Sequence, residues 1–259
     1  MTRIHPTAIV AKTAELHPTV EVGPYAVIGP HVKIDEGTRI GAHAVVEGHT
    51  TIGKNVVLFH HCSVGVIPQD LKYRGQPTRL EIGDGTVVRE FASVHIGTEE
   101  GGGLTKIGRK CLLMTYTHVA HDVTLGDGVI LSSGAMLAGH VQVEDHAIFG
   151  GLSGVHQFVR VGKHAFISGG SMIGMDVPPF CTVSGHRAQL AGLNTVGLIR
   201  HGFTEEQIRN IKRAYRILFR MKLGLREAIV RVRAEIPDDP NVEHLLRFVE
   251  GSQRGVTRR

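Results

Sequence analysis

The sequence predicts a mainly β protein, a parallel β-helix built from hexapeptide repeats and followed by a small α-helical domain. Three observations carry that reading: an aliphatic residue at every sixth position, a small residue two places before it, and the loss of the period after Pro179. The period runs without a miss from Ile4, Val10 and Leu16 to Leu58 and Val64, and again from Ile107, Leu113 and Val119 to Ile167 and Ile173. A shorter run, Ile82, Val88 and Val94, lies between. An amphipathic helix would need spacings of three and four, and a half-buried strand would alternate, so neither template fits. A period of six reads as short strands joined by tight corners, with three hexapeptides closing a triangular coil of about eighteen residues.

The repeat region is expected over 1–190. Small residues such as Ala26, Ala44, Cys62, Ala92, Ala135 and Ala165 suit crowded corners, and glycines after the aliphatic residue, as in Ile28-Gly29, Ile52-Gly53, Leu125-Gly126 and Val161-Gly162, suggest turns at positive φ. The period breaks at about 66–81 and at 95–106, where Glu99 to Gly103 is polar and flexible. Both breaks are expected to project as loops, and loops on a rigid scaffold often carry function. From 191 to 259 the pattern turns helical. Thr204 with Gln207 makes a capping box ahead of a helix through about Lys222, followed by helical stretches Arg226 to Ala234 and Val242 to Glu250.

A chain of 259 residues can bury a substantial core without staples. The three cysteines, Cys62, Cys111 and Cys181, form no C-x-x-C pair and are odd in number, so neither a disulfide framework nor a zinc ribbon is suggested, and reduced thiols in the cytoplasm are the simpler reading. No apolar stretch has the length of a signal peptide or a membrane span. From Arg200 onward 14 Lys/Arg face 8 Asp/Glu, so the tail carries +6 of charge against a net +5 for the chain, and the rest is about neutral. That tail is a solvated helical surface or a docking surface for an acidic partner. Nucleic acid fits poorly, because Trp is absent and the basic residues are not interleaved with aromatics.

The period also aligns histidines. Val119, Leu137 and Val155 stack on successive coils about 4.8 Å apart, the spacing of neighbouring strands. His121, His140 and His156 follow them closely and therefore share one edge, with His118 just before Val119. Imidazole titrates near neutrality, which suits a general base. The competing use is a three-histidine zinc site, disfavoured because zinc ligands must converge at about 2.1 Å while this row is drawn out along the coils.

Several strings then resemble a known family: Pro68-Gln-Asp-Leu-Lys-Tyr73, Gly101-Gly-Gly-Leu-Thr105, Thr117-His-Val-Ala-His-Asp122, Leu137-Ala-Gly-His-Val141, Val155-His-Gln-Phe158, Asp176-Val-Pro-Pro179 and Gly202-Phe203. In order and spacing they resemble the UDP-N-acetylglucosamine acyltransferases that open lipid A biosynthesis, across essentially the whole chain. The resemblance implies a left-handed β-helix in a homotrimer with active sites between subunits. It implies transfer of an (R)-3-hydroxyacyl group from acyl carrier protein to the 3-position of a UDP-linked glucosamine, with no metal or bound cofactor. Matched residue by residue, His121 would be the general base and the Gly139 N–H would steady the oxyanion. Asp70 and Lys72 would hold the acceptor sugar and its phosphates. His118, His140, His156 and Gln157 would complete the pocket, with Asn194 and Arg200 near the diphosphate, while Gly169 and Arg187 would line the acyl groove. Asp122 is left without a role, because neighbours in an extended strand point to opposite sides.

Departures from the family pattern are Ile96 and His201 where Arg is usual, Val196 where Glu is usual, and Arg187 where His is common. Val196 raises an amide-forming alternative, in which the acceptor is the 3-amino analogue of the UDP-sugar. The further alternative on this scaffold is a metal-dependent hydratase like the γ-class carbonic anhydrases.

Overall fold

The computed structural model describes residues 3–258. The outermost positions of the expected spans, 1–2 and 259, lie outside the described residues. The chain winds as a left-handed parallel β-helix of three sheets, with 11, 9 and 8 strands. The first face starts at Arg3–Ile4, the second at Ile9–Val10 and the third at Glu15–Leu16. Stacked partners lie 18 positions apart, as in Arg3↔Glu21 and Met136↔Gly154. The interval widens at Val57↔Val87 and Val87↔Leu112, where the loops are inserted, and returns to 18 at Leu112↔Ile130.

The second residue of each two-residue strand points inward. Ile28, Ile40, Val46, Leu58, Leu113, Leu137 and Ile167 are all buried, and the small residues Ala26, Ala44, Cys62 and Ala135 fill the space beside the corners. Burial of this aliphatic column drives the winding, and truncating one member, Leu137→Ala, should cost about 2–5 kcal/mol. The glycines behave differently from expectation: Gly29, Gly53, Gly83, Gly108, Gly126 and Gly162 are absent from the positive-φ positions. A Cβ on Gly108 would instead collide with the backbone of Gly126 on the next coil, so close stacking is the reason for the residue. The left-handed corner positions are mostly filled by side-chain-bearing residues, which stack. Tyr25, His43, His61, Phe91 and Tyr116 form one such ladder, with ring centroids 4.9–5.2 Å apart.

The two loops are shorter than their expected spans. Strand pairing resumes at Arg79–Ile82 and at Leu104–Ile107. The second loop does not project freely; it folds back onto the prism through Asp122.

The last strand of the first face, Gln189–Leu193, is antiparallel to Cys181–Ser184 and crosses the domain boundary expected at 190/191. Four helices follow: α1 (Thr195–Arg200), α2 (Glu205–Arg220), α3 (Leu225–Glu235) and α4 (Pro240–Glu250). The Thr204/Gln207 capping box is formed in full at the start of α2. The helices make a second core around Leu198, Ile211, Val232 and Leu245, and Phe180 from the prism inserts into it. The chain then returns to the prism, where Asp176 pairs with Val256. Among the described residues no helix is long and apolar enough to cross a membrane.

Candidate active site

A cleft of about 750 Å³ runs along the second face. Its floor is made by the outward residues of stacked strands, His118, Met136, Gly154 and Met172, which are in register. Its edge is the corner between the second and third faces, which supplies His121, Gly139 and His156, and Arg187 and Gln69 also line it. Of the residues the sequence singles out, His118, His121, His156, Gly139 and Arg187 meet here.

Asp122 is the residue the sequence reading leaves without a role. It is not in an extended strand: its φ is +59°, a corner conformation that Asp tolerates better than most residues. The turn brings its carboxylate beside its own neighbour, and His121 Nδ1 stands 2.8 Å from Asp122 Oδ2. The Asp122 side chain is only 1% exposed, against 15% for His121. His121 lies directly over Gly139, where a Cβ would stand 2.6 Å from the ring. Only glycine lets the imidazole occupy that place. The Gly139 N–H has no acceptor among the described residues.

The other histidines are tuned by burial. His140 stacks on Phe158 at 4.4 Å and meets the His121 ring edge-on at 5.1 Å. Burial holds His140 below its ordinary range, and Asp122 partly opposes this. His118 is likewise lowered, first by burial and then by His121, and Ser93 Oγ lies 2.8 Å from its Nδ1. His95, packed edge-on against His118 at 4.9 Å, is pushed down to about 4 by burial and the neighbouring histidines. Burial thus disfavours the charged form of all three rings. His156 contacts Arg254 of the C-terminal tail, with Nδ1 2.9 Å from the guanidinium.

In the first loop Asp70 accepts from the Lys72 N–H, and Lys72 Nζ pairs with Glu100 of the second loop at 2.9 Å. Gln157 is exposed on the same corner as His140. Asn194 and Arg200 lie elsewhere. Asn194 caps α1 by accepting from Gly197 N–H and donates to the carbonyl of His164, on the corner between the third and first faces. Arg200 is exposed at the end of α1. Gly169 sits on the corner between the first and second faces, nearest Gly151, and does not line this cleft within one chain.

His121, Asp122 and His140 place one ligand atom each within 4.8 Å of one another, a spacing open to a cation. Yet the 2.8 Å separation between His121 and Asp122 is that of a direct hydrogen bond, and Asp122 is further engaged by two donors of Thr98. The arrangement is a carboxylate-held imidazole.

A hexapeptide-repeat solenoid with a carboxylate-held imidazole in a mostly apolar cleft matches the acyltransferases of the hexapeptide-repeat class. Family models agree: one described as bacterial transferase hexapeptide (six repeats) matches residues 13–48 and 104–139, and one described as UDP N-acetylglucosamine O-acyltransferase, domain 2, matches 176–257. An acyl-carrier-protein-dependent UDP-N-acetylglucosamine O-acyltransferase of Burkholderia mallei (strain SAVP1) is 54% identical over the whole of both chains. Its counterpart in Anaeromyxobacter dehalogenans (strain 2CP-1) is 54% identical over 75% of this chain and 76% of its own. Among solved structures, LpxA from Acinetobacter baumannii superposes with a TM-score of 0.96 at 42% identity, covering 98% of this chain and 99% of that one. The UDP-N-acetylglucosamine acyltransferase of Campylobacter jejuni gives 0.94 at 36% identity, covering 99% and 100%. The chain belongs to the UDP-N-acetylglucosamine O-acyltransferase family. These relatives lend no support to the amide-forming or hydratase alternatives.

Proposed function

We propose that this protein transfers an (R)-3-hydroxyacyl chain from acyl carrier protein to the 3-hydroxyl of UDP-N-acetylglucosamine, opening lipid A biosynthesis, with His121 as general base. The observation that carries the reading is His121 seated on Gly139 with Nδ1 tied to Asp122. Nδ1 donates to the carboxylate, so Nε2 holds the lone pair and accepts the proton of the sugar hydroxyl as its oxygen attacks the thioester carbonyl. The tetrahedral intermediate then collapses, the C–S bond breaks, and the carrier's thiol leaves with the proton returned by His121. Asp122 stabilises the transient imidazolium, and the unpartnered Gly139 N–H is assigned to the oxyanion. Proton transfer and oxyanion stabilisation are supplied by the chain itself, and the reading includes no metal or cofactor.

Asp70, Lys72, His118, His140, His156 and Gln157 are assigned to the acceptor, and the apolar floor of the cleft with Arg187 to the acyl chain. Asn194 and Arg200, on another edge of the prism, are assigned to the diphosphate of a site on a neighbouring copy, which requires an oligomer. The faces support a homotrimer. Outward residues of the third face are polar, among them Lys106, Thr124, Gln142 and Arg160, whereas those of the first, charged at Arg3, Glu21 and Arg39, turn apolar from Val57 through Val87, Leu112, Ile130, Ile148 and Phe166. An apolar stripe of that length calls for a partner. Gly169 then falls to the acyl groove only between subunits. A carrier-protein donor and a nucleotide-sugar acceptor set the reaction in the cytoplasm.

The test is mass spectrometry of the product made by purified protein from 3-hydroxyacyl carrier proteins and UDP-N-acetylglucosamine. A monoacylated ester is expected. An amide from the 3-amino analogue alone, or turnover that chelators abolish, would overturn the proposal.

A further inference from the structure

The glycine-rich second loop reads from sequence as a flexible projection, yet it is wrapped around Asp122. The Thr98 N–H donates to Asp122 Oδ1 at 2.8 Å and the Thr98 hydroxyl donates to Oδ2 at 2.6 Å. Thr105, on the strand that ends the loop, accepts the Asp122 backbone N–H through its hydroxyl at 2.8 Å. A Cβ on Gly101 would collide with the same carboxylate, so the loop closes down on it directly. Thr98, Thr105 and Asp122 are all buried, at 6%, 0% and 7% exposure. The Thr98 hydroxyl also accepts the Gly101 N–H at 3.2 Å, so a single side chain organises both the turn and the carboxylate.

We propose that Thr98 is a positioning residue for the acyl transfer, fixing the Asp122 carboxylate so that His121 keeps its proton on Nδ1 and its lone pair on Nε2. Oδ2 of Asp122 is shared: it takes the Thr98 hydroxyl and the His121 Nδ1–H together, and His140 Nδ1 stands 3.8 Å away. Without the two Thr98 donors the carboxylate can turn on its side-chain torsions toward His140, and His121 loses the partner that selects its tautomer. Charge-assisted bonds of this length are among the stronger in proteins, and here water does not compete. The role deepens the general-base reading of His121 and rests on it. Thr98 touches no substrate in this scheme; it acts through Asp122. The loop carrying it is also joined at Glu100 to Lys72 of the first loop through an exposed ion pair.

The variants that test this are Thr98→Val, which keeps the shape and the backbone donor but removes the hydroxyl, and Thr98→Ser, which keeps the hydroxyl. Thr98→Val should lower kcat by about 10- to 100-fold with both KM values within about twofold. Thr98→Ser should restore kcat to within about threefold of the parent. Nitrogen-15 NMR of the full-length protein labelled at histidine should show His121 as a single Nδ1–H tautomer in the parent and Thr98→Ser, and as a mixture in Thr98→Val. A Thr98→Val protein with parental kcat, or with the parental His121 signal, overturns the positioning role. Loss of kcat with a parental tautomer would show the hydroxyl to be merely structural. If the parent itself shows His121 protonated on Nε2, the general-base assignment fails, and that outcome is distinct from failure of Thr98 alone.

Discussion

Two histidine clusters pack at different corners of the same prism, and only one of them has a ring hydrogen-bonded to a buried carboxylate. His121 and His140 lie 5.1 Å apart on the corner between the second and third faces; His146 and His164, on the corner between the third and first, and His201 at the C-terminus of α1 lie 4.7–5.0 Å apart. Both clusters place histidines at left-handed corner positions. The first has a buried carboxylate bonded to one ring. The second has Phe180 and Phe203 around His164, with Lys163 as a further cation, and leaves His164 Nδ1 buried without a partner. Crowding histidines together disfavours the protonated form of each, so a cluster by itself makes weaker bases. A hydrogen-bonded carboxylate instead fixes which ring nitrogen is free.

The sharpest way to break the comparison is to remove one ring from each corner. His121→Ala should retain the fold and lose at least about 100-fold in kcat, the scale of a lost general base. His164→Phe should stay within about twofold in steady-state turnover, because phenylalanine can keep the stacking with Phe180. Parental turnover in His121→Ala, or a large loss in His164→Phe, would place the base on the wrong corner. A smaller effect is expected at the carboxylate: Asp122→Asn keeps the volume but removes the charge that supports an imidazolium, and kcat should fall about 10- to 50-fold with modest change in KM. An unchanged kcat would reduce Asp122 to a loop anchor.

The period of six revealed the prism, the inward column and the histidine edge because each is a consequence of stacking identical coils. It could not reveal Asp122. The strand rule that sends neighbours to opposite faces fails at a corner residue with φ of +59°, and the corner conformation is carried by Asp, His, Phe and Tyr here rather than by glycine alone. Thr98 was hidden for a different reason: its partner is 24 positions away across an insertion, where the repeat gives no register. Asn194 and Arg200 are legible only by resemblance, since within one chain they lie on a different corner from His121. The helical tail was readable because its capping box is local.

The basic tail offers a milder test of the same lesson, that a residue's neighbours decide its use. Arg213 is already paired with Glu235 at 2.6 Å, and Arg233 with both Glu243 and Glu250, whereas Arg216 on α2 is exposed with no ion-pair partner among the described residues. An acidic carrier should therefore feel Arg216 more than Arg213. Arg216→Glu is expected to raise the donor KM about three- to tenfold at low ionic strength, with the difference shrinking as salt rises and the acceptor KM unchanged. Equal donor and acceptor effects in steady-state kinetics would make the tail a solvated surface.

The smallest effect concerns stability in acid. Burial, reinforced by His201 and His146, lowers His164 from 6.5 to about 4, so the folded protein takes up this proton only near pH 4, while the unfolded chain takes it up near 6.5. Proton uptake by the unfolded state then favours unfolding, so the contribution of a neutral His164 is fully present above about pH 6.5 and is lost as the pH falls toward 4. His95, also lowered to about 4, adds to the same window beside the active site. His164→Phe removes one titrating ring and keeps its packing. Its Tm should decline less steeply than the parent's between pH 6.5 and 4, by a few degrees over that range, with the two curves parallel above pH 7. Calorimetric scans at half-unit steps would measure this, and a variant whose acid sensitivity equals the parent's would mean that His164 takes up its proton as readily in the folded protein as in the unfolded chain.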